Sequence, residues 1–132
     1  MRIKCIALLP DLEQSKKLGI GTHYFPGKMV FGIKIGAEYV VYALSFLSGT
    51  PWVFLASETG YLHPVPLCLF KIIDDRVSHL WRIYAKIDQD IFIGPNSFSQ
   101  PHYIEDLSDG VLEVTNDFKK IKKAMDDEAY TS

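Results

Sequence analysis

The side chains best placed to do chemistry in this chain are carboxylates, and they come in pairs: Asp74/Asp75, Asp88/Asp90 and Glu105/Asp106, with Asp109 close behind. Paired acids can share general acid–base work, as in glycoside hydrolysis. Here each pair lies on a short polar stretch between apolar runs, where Asp is favoured because its side chain bonds its own backbone. If the strands flanking Asp74-Asp75 and Asp88-Gln89-Asp90 form an antiparallel hairpin, the two groups stand at opposite ends of it, too far apart for one catalytic pair. The pairs read as turns or as a surface patch, and side chains on such loops are free to reach a partner.

Other catalytic and ligand-binding patterns fail in the same way. There is no Cys-x-x-Cys or His-x-x-x-His, and His23, His63, His79 and His102 are scattered, which argues against zinc. Gly19-Ile20-Gly21 and Gly32…Gly36 do not lead into a helix start, so neither cradles a phosphate. Cys5 and Cys68 sit in apolar runs that keep a thiol protonated, and the serines have no nucleophile-elbow residues around them. Both cysteines read as small buried hydrophobes of a reducing compartment, although the spacing leaves a disulfide open. The basic run Lys119, Lys120, Lys122 and Lys123 is followed at once by Asp126-Asp127-Glu128, with no aromatic platform beside it. That is a solvated helix face rather than a nucleic-acid contact. The chain is read as no enzyme, with no cofactor, no metal and no direct nucleic-acid contact.

The 132 residues suit one domain, residues 1–132, and a composition of 48% hydrophobic and 23% charged residues excludes disorder. The formal charge of −2 is unevenly spread: residues 1–60 carry +2, residues 61–118 carry −5 and residues 119–132 carry +1. A basic partner would therefore look to the middle stretch. No apolar run reaches the ~20 residues of a membrane span. Nor does a small-residue cleavage site follow the run that Pro10 ends, so a cytoplasmic location is expected.

The elements that must position these residues are mostly strands. Ile3 to Leu9 reads as a strand, and Asp11 to Leu18 as a short helix capped by Asp11. Lys28–Ile35, Glu38–Leu47 and Pro51–Ala56 read as a meander, its first turn at Gly36-Ala37 and its second at Ser48-Gly49-Thr50. Ser57 to Val65 reads as a loop. Pro66 to Ile73, nearly all apolar, reads as a central strand buried on both faces. His79 to Ile87 alternates, placing Trp81, Ile83, Ala85 and Ile87 on one face. A short strand Ile91–Ile93 follows, then an irregular stretch Asn96–Gly110 and a last strand Val111–Thr115. A helix capped by Asn116 or Asp117 runs to about Asp127, with Phe118, Ile121, Ala124 and Met125 inward. The fold class is mainly β (α+β): one twisted antiparallel sheet, or a partly closed barrel, with a C-terminal helix. Trp81, Ile83, Phe70, Leu69 and Val41 are the expected core.

In this order, Tyr24-Phe25-Pro26-Gly27, Ala37 to Ala43, Leu67 to Ile72, His79 to Tyr84, Ile93-Gly94-Pro95 and Phe98-Ser99-Gln100-Pro101 form a pattern of apolar and aromatic positions. It resembles the mostly β immunity proteins of bacterial polymorphic and contact-dependent toxin systems. Two departures stand out: the gap between Trp52 and Phe70 is short, and Met1 to Gly21 is extra. The resemblance implies a monomer that binds one cognate toxin domain, often a nuclease, and blocks it. It carries over no catalytic and no contact residue. A nuclease site must bind phosphates and is basic, so carboxylates opposite it would speed and tighten association. The expected contacts are Asp88, Asp90, Glu105, Asp106 and Asp109, then Asp74 and Asp75, with the Tyr61–His63 loop as the next candidate. The alternative is a small β-barrel or sandwich that binds a small molecule or runs an unrecognised reaction in a deep apolar pocket near Tyr61, His63 and Tyr84.

Overall fold

The computed structural model describes residues 1–11, 13–14, 31–47, 49–85 and 90–131. These form two open antiparallel sheets and a long C-terminal helix. The smaller sheet has β1 (Arg2–Cys5) between β2 (Glu38–Val40) and β6 (Phe70–Asp74). The larger runs in the order β5 (Leu62–Pro66), β4 (Thr50–Ala56), β3 (Ala43–Leu47), β8 (Phe92–Pro95) and β7 (Trp81–Tyr84). The expected single sheet is thus two, and neither closes into a barrel.

Two apolar runs that read as single strands are where the chain passes between the sheets. In the run Glu38–Leu47, β2 pairs with β1 and β3 pairs with β4. Val41 and Tyr42 make the corner: the Val41 amide donates to the Met1 carbonyl and the Tyr42 amide to the Phe54 carbonyl, one toward each sheet. Both are buried, which is why the sequence stays apolar through the break. The run Pro66–Ile73 behaves likewise. Leu67–Leu69 is a 3₁₀ turn, Leu69 is fully buried, and β6 is an edge strand with Ile72 and Ile73 exposed. It is not a central strand covered on both faces.

Other departures have local causes. β1 ends at Cys5 because the amides of Ile6 and Ala7 both turn to the Leu69 carbonyl. Asp11 does cap: its carboxylate accepts from the Gln14 amide, and the Gln14 side chain accepts from the Asp11 amide, a reciprocal capping box. The rest of that expected helix, 15–18, lies outside the described residues, as do 28–30 of the first meander strand. Residues 31–35 are not a strand. Lys34 to Ala37 is a turn with Gly36 (φ 83°) in third place, a conformation that suits glycine, and it docks on the end of β1 through Gly36 and Cys5. The meander is instead β3–β4–β5. Leu62 to Val65, expected as loop, belongs to β5, whose Pro64 and Pro66 are tolerated because the strand is an edge.

The C-terminal third is more helical than its residues suggest. Asn96–Ser99 is a 3₁₀ turn and Tyr103–Ser108 a short helix, α1, anchored by buried Tyr103 and Leu107 one turn apart. Val111–Thr115 is not a strand: α2 spans Leu112–Ala129. Its β-branched start favours a strand locally. Val114, Phe118, Ile121, Met125 and Ala129 nevertheless continue one helical stripe onto the core, and packing outweighs a propensity of under ~1 kcal/mol per residue. Ala124, expected inward, is exposed. The Phe118 ring meets Tyr42 and Phe98, at 5.9 and 6.0 Å between centroids. The Tyr42 hydroxyl donates to Asp126, and Tyr103 donates to Asp117. Burial, and then the hydrogen bond to a carboxylate, pushes both phenols well above their ordinary value, so they stay protonated donors. Trp81 is buried and its ring N–H donates to the Tyr42 carbonyl at 2.9 Å. Val41, Leu69 and Phe70 are core as expected, but Ile83 is 71% exposed on the edge strand β7.

Candidate interaction site

The expected acidic residues do not share one face. β6 and β7 belong to different sheets, so Asp74-Asp75 and the Asp88–Asp90 loop are not the two ends of a hairpin. Asp88 lies outside the described residues. Asp90 is exposed just before β8, whereas α1, with Glu105 and Asp106, follows the other end of that strand. The strand β8, the turn Asn96–Ser99 and residues 100–102 lie between the two along the chain.

Asp74 is engaged inside the fold. Its carboxylate meets the Arg76 guanidinium at 2.7 Å and Arg2 at 3.8 Å, and Arg76 also donates to the Thr131 carbonyl. The Arg76 hydrogen bonds hold the Asp74 carboxyl well below the usual carboxylate range. Next to it, Glu128 of α2 accepts from the Ser78 hydroxyl (2.6 Å), the His79 amide (2.9 Å) and the His79 ring (2.7 Å). Burial would raise the Glu128 carboxyl, but these donors hold it below its ordinary value. Together the two carboxylates latch the end of α2 to the segment between β6 and β7. Asp75 is exposed beside the latch and takes no part in it.

Glu105, Asp106 and Asp109 do gather, on α1 and at its end, and Glu113 in the first turn of α2 joins them. Gly110 turns the chain between the helices with φ 75°, its amide on the Leu107 carbonyl, the left-handed stop that favours glycine. That turn thrusts out Val111 and Leu112, 41% and 71% exposed. Among the described residues none of these four carboxylates pairs with Lys or Arg; Glu105 meets only His102, at 3.2 Å. The sequence held the signal: Asp90 to Phe118 contains six carboxylates and no Lys or Arg. Glu113, Val111 and Leu112 were missed because that segment reads as a strand.

Tyr61 and His63 line an open groove of about 590 Å³ with Phe31, Lys34, Tyr39 and Glu58. The His63 Nε2 lies 3.2 Å from the Phe31 carbonyl and donates there, and Nδ1 is buried with no hydrogen-bond partner among the described residues. Tyr84 is not part of this groove. Its hydroxyl donates to Asn96, and it lies on β7, the opposite edge of the sheet from β5, four strand spacings or about 19 Å away. The three residues suggested for a small-molecule pocket therefore make no common site.

Both cysteines are free, and burial pushes both thiols up, away from nucleophilic chemistry. Among the described residues no three His, Cys, Asp or Glu side chains converge to hold a metal ion, and no helix is long and apolar enough to cross a membrane. Comparison with protein families, curated proteins and solved structures gives no match to this chain.

Proposed function

We propose that the protein acts by binding a basic protein partner through the lobe formed by α1 and the start of α2, and that this partner is the toxin domain expected of an immunity protein. The observation that carries the reading is the exposure of Val111 and Leu112 on the turn between α1 and α2, among carboxylates of both helices that no Lys or Arg of the described residues neutralises. An apolar centre with a charged rim is the common anatomy of a protein interface. The rim steers a basic partner and speeds encounter, while the centre slows release. The resemblance to immunity proteins supports the toxin identity, and a nuclease toxin supplies the basic surface such a lobe complements.

The test is association kinetics at two salt concentrations against the protein encoded by the neighbouring gene, which this reading expects to carry a toxin domain. Glu105→Lys/Asp106→Lys should slow association and flatten its salt dependence, and Leu112→Ala should speed dissociation. Parental kinetics in both variants would remove the lobe as the site.

A further inference from the structure

A second surface has the opposite character. Between β7, the turn that follows β8 and the middle of α2 lies a pocket of about 260 Å³ lined by His79, Leu80, Arg82, Asn96, Ser97 and Ile121 among others, with no carboxylate in its wall. That volume is below the range of sites for drug-sized ligands, so its occupant is small.

Three of the polar groups in this wall, Arg82, Asn96 and Ser97, have a donor to offer, while the His79 ring is turned to the Glu128 carboxylate. Of the chain's three arginines, Arg2 and Arg76 face carboxylates, and Arg82 faces none among the described residues. Arg82 Nη1 is anchored on the carbonyls of Trp81 (2.9 Å) and His79 (3.2 Å). This leaves the Nε and Nη2 edge, the fork that grips an oxyanion through two parallel hydrogen bonds, without a partner among the described residues. Asn96 accepts the Tyr84 hydroxyl on its oxygen at 2.7 Å, which leaves its amide nitrogen to donate. The Ser97 hydroxyl makes no hydrogen bond among the described residues, and Leu80 and Ile121 supply apolar wall. Backbone register brings these groups together: Arg82 pairs with Gly94, two residues before Asn96, a diagonal of about 7–8 Å across the strands.

We infer that this pocket binds a phosphoryl oxyanion, gripped by Arg82 from one side and by Asn96 and Ser97 from the other. The inference is independent of the acidic lobe. Inorganic phosphate and a small phosphomonoester offer the same oxygens. The pocket leaves room for a short organic body against Leu80 and Ile121, so the monoester should bind the tighter of the two.

The experiment is an ¹H–¹⁵N titration of the full chain with inorganic phosphate, O-phosphoserine and, at matched ionic strength, chloride. Saturable shifts at the Arg82 side chain, the Asn96 amide and Ser97 are expected with both phosphates and not with chloride. Arg82 is exposed, so Arg82→Gln should keep the fold, checked by an unchanged spectrum elsewhere, and weaken binding about tenfold or more; Arg82→Lys should recover only part, lacking the fork. Saturation by phosphate but not by O-phosphoserine would refute the predicted organic body. Shifts that chloride reproduces, or that Arg82→Gln leaves intact, would overturn the site altogether.

Discussion

Asp74 and Glu105 are both carboxylates from the acidic half of the chain, and they differ in what faces them. Asp74 lies between two guanidinium groups at the seam of β1, β6 and the end of α2, and Glu105 meets a single exposed histidine on a short helix. The first carboxylate is spent on holding the fold. The second leaves its charge available at the surface. Acidic residues thus divide into latch and lobe according to the donors the fold sets against them: Arg76 with Arg2 behind it for Asp74, and no Lys or Arg among the described residues for Glu105.

The largest effect should fall where the latch segment enters the core. Trp81→Ala should cost about 3–5 kcal/mol, since it removes a large buried ring, and chemical denaturation would measure it. Ile83→Ala, two residues on, should stay within about 0.5 kcal/mol because that side chain is already in water. Equal costs would mean that β7 is not an edge.

Next comes the latch itself. Glu128→Ala removes the acceptor of the buried Ser78 hydroxyl proton and of the His79 amide, and should cost about 1–3 kcal/mol by the same measurement. Equal stability in parent and variant would show that α2 is held by its apolar stripe alone.

The latch also predicts an acid profile. Asp74 and Glu128 both sit below their ordinary values in the folded chain, so around pH 4 the unfolded state binds the more protons. The stability they supply is complete above that pH and drains as pH falls through the folded values. Asp74→Asn should flatten the loss of melting temperature on acidification. Glu105→Gln/Asp106→Gln should leave it as in the parent, and a flattened profile there would mean that the lobe is latched too.

The smallest stability effect belongs to the lobe. Glu105→Lys/Asp106→Lys should change stability by no more than about 0.5 kcal/mol while it alters partner kinetics. A large loss of stability would place those carboxylates among the fold's own contacts.

Much of the fold was legible. The α+β class, the strand content, the inward positions of Trp81, Phe70, Leu69 and Val41, and the Asp11 cap follow from alternation, apolar runs and capping chemistry. The lobe was half legible: Glu105, Asp106 and Asp109 stand out as charge, but Val111 and Leu112 resemble any strand start. The Arg82 pocket was not legible, because one arginine, one asparagine and one serine carry no pattern until β8 is laid beside β7.

The sequence by itself determined which side chains are apolar and where charge accumulates, since hydrophobicity and ionisation belong to the side chain, but not that Ile72, Ile73 and Ile83 would be left on edge strands in water. Only the tertiary structure decided which apolar run crosses between sheets. A corner such as Val41-Tyr42 is as buried as the strands on either side, so hydrophobicity does not mark it. Likewise, only the tertiary structure decided which carboxylates are neutralised. Coulomb attraction depends on distance in space: Asp74 takes Arg76 from two residues along its own turn, but Arg2 and the Thr131 carbonyl join that cluster only because β1 is laid against β6 and the end of α2 comes to rest beside them.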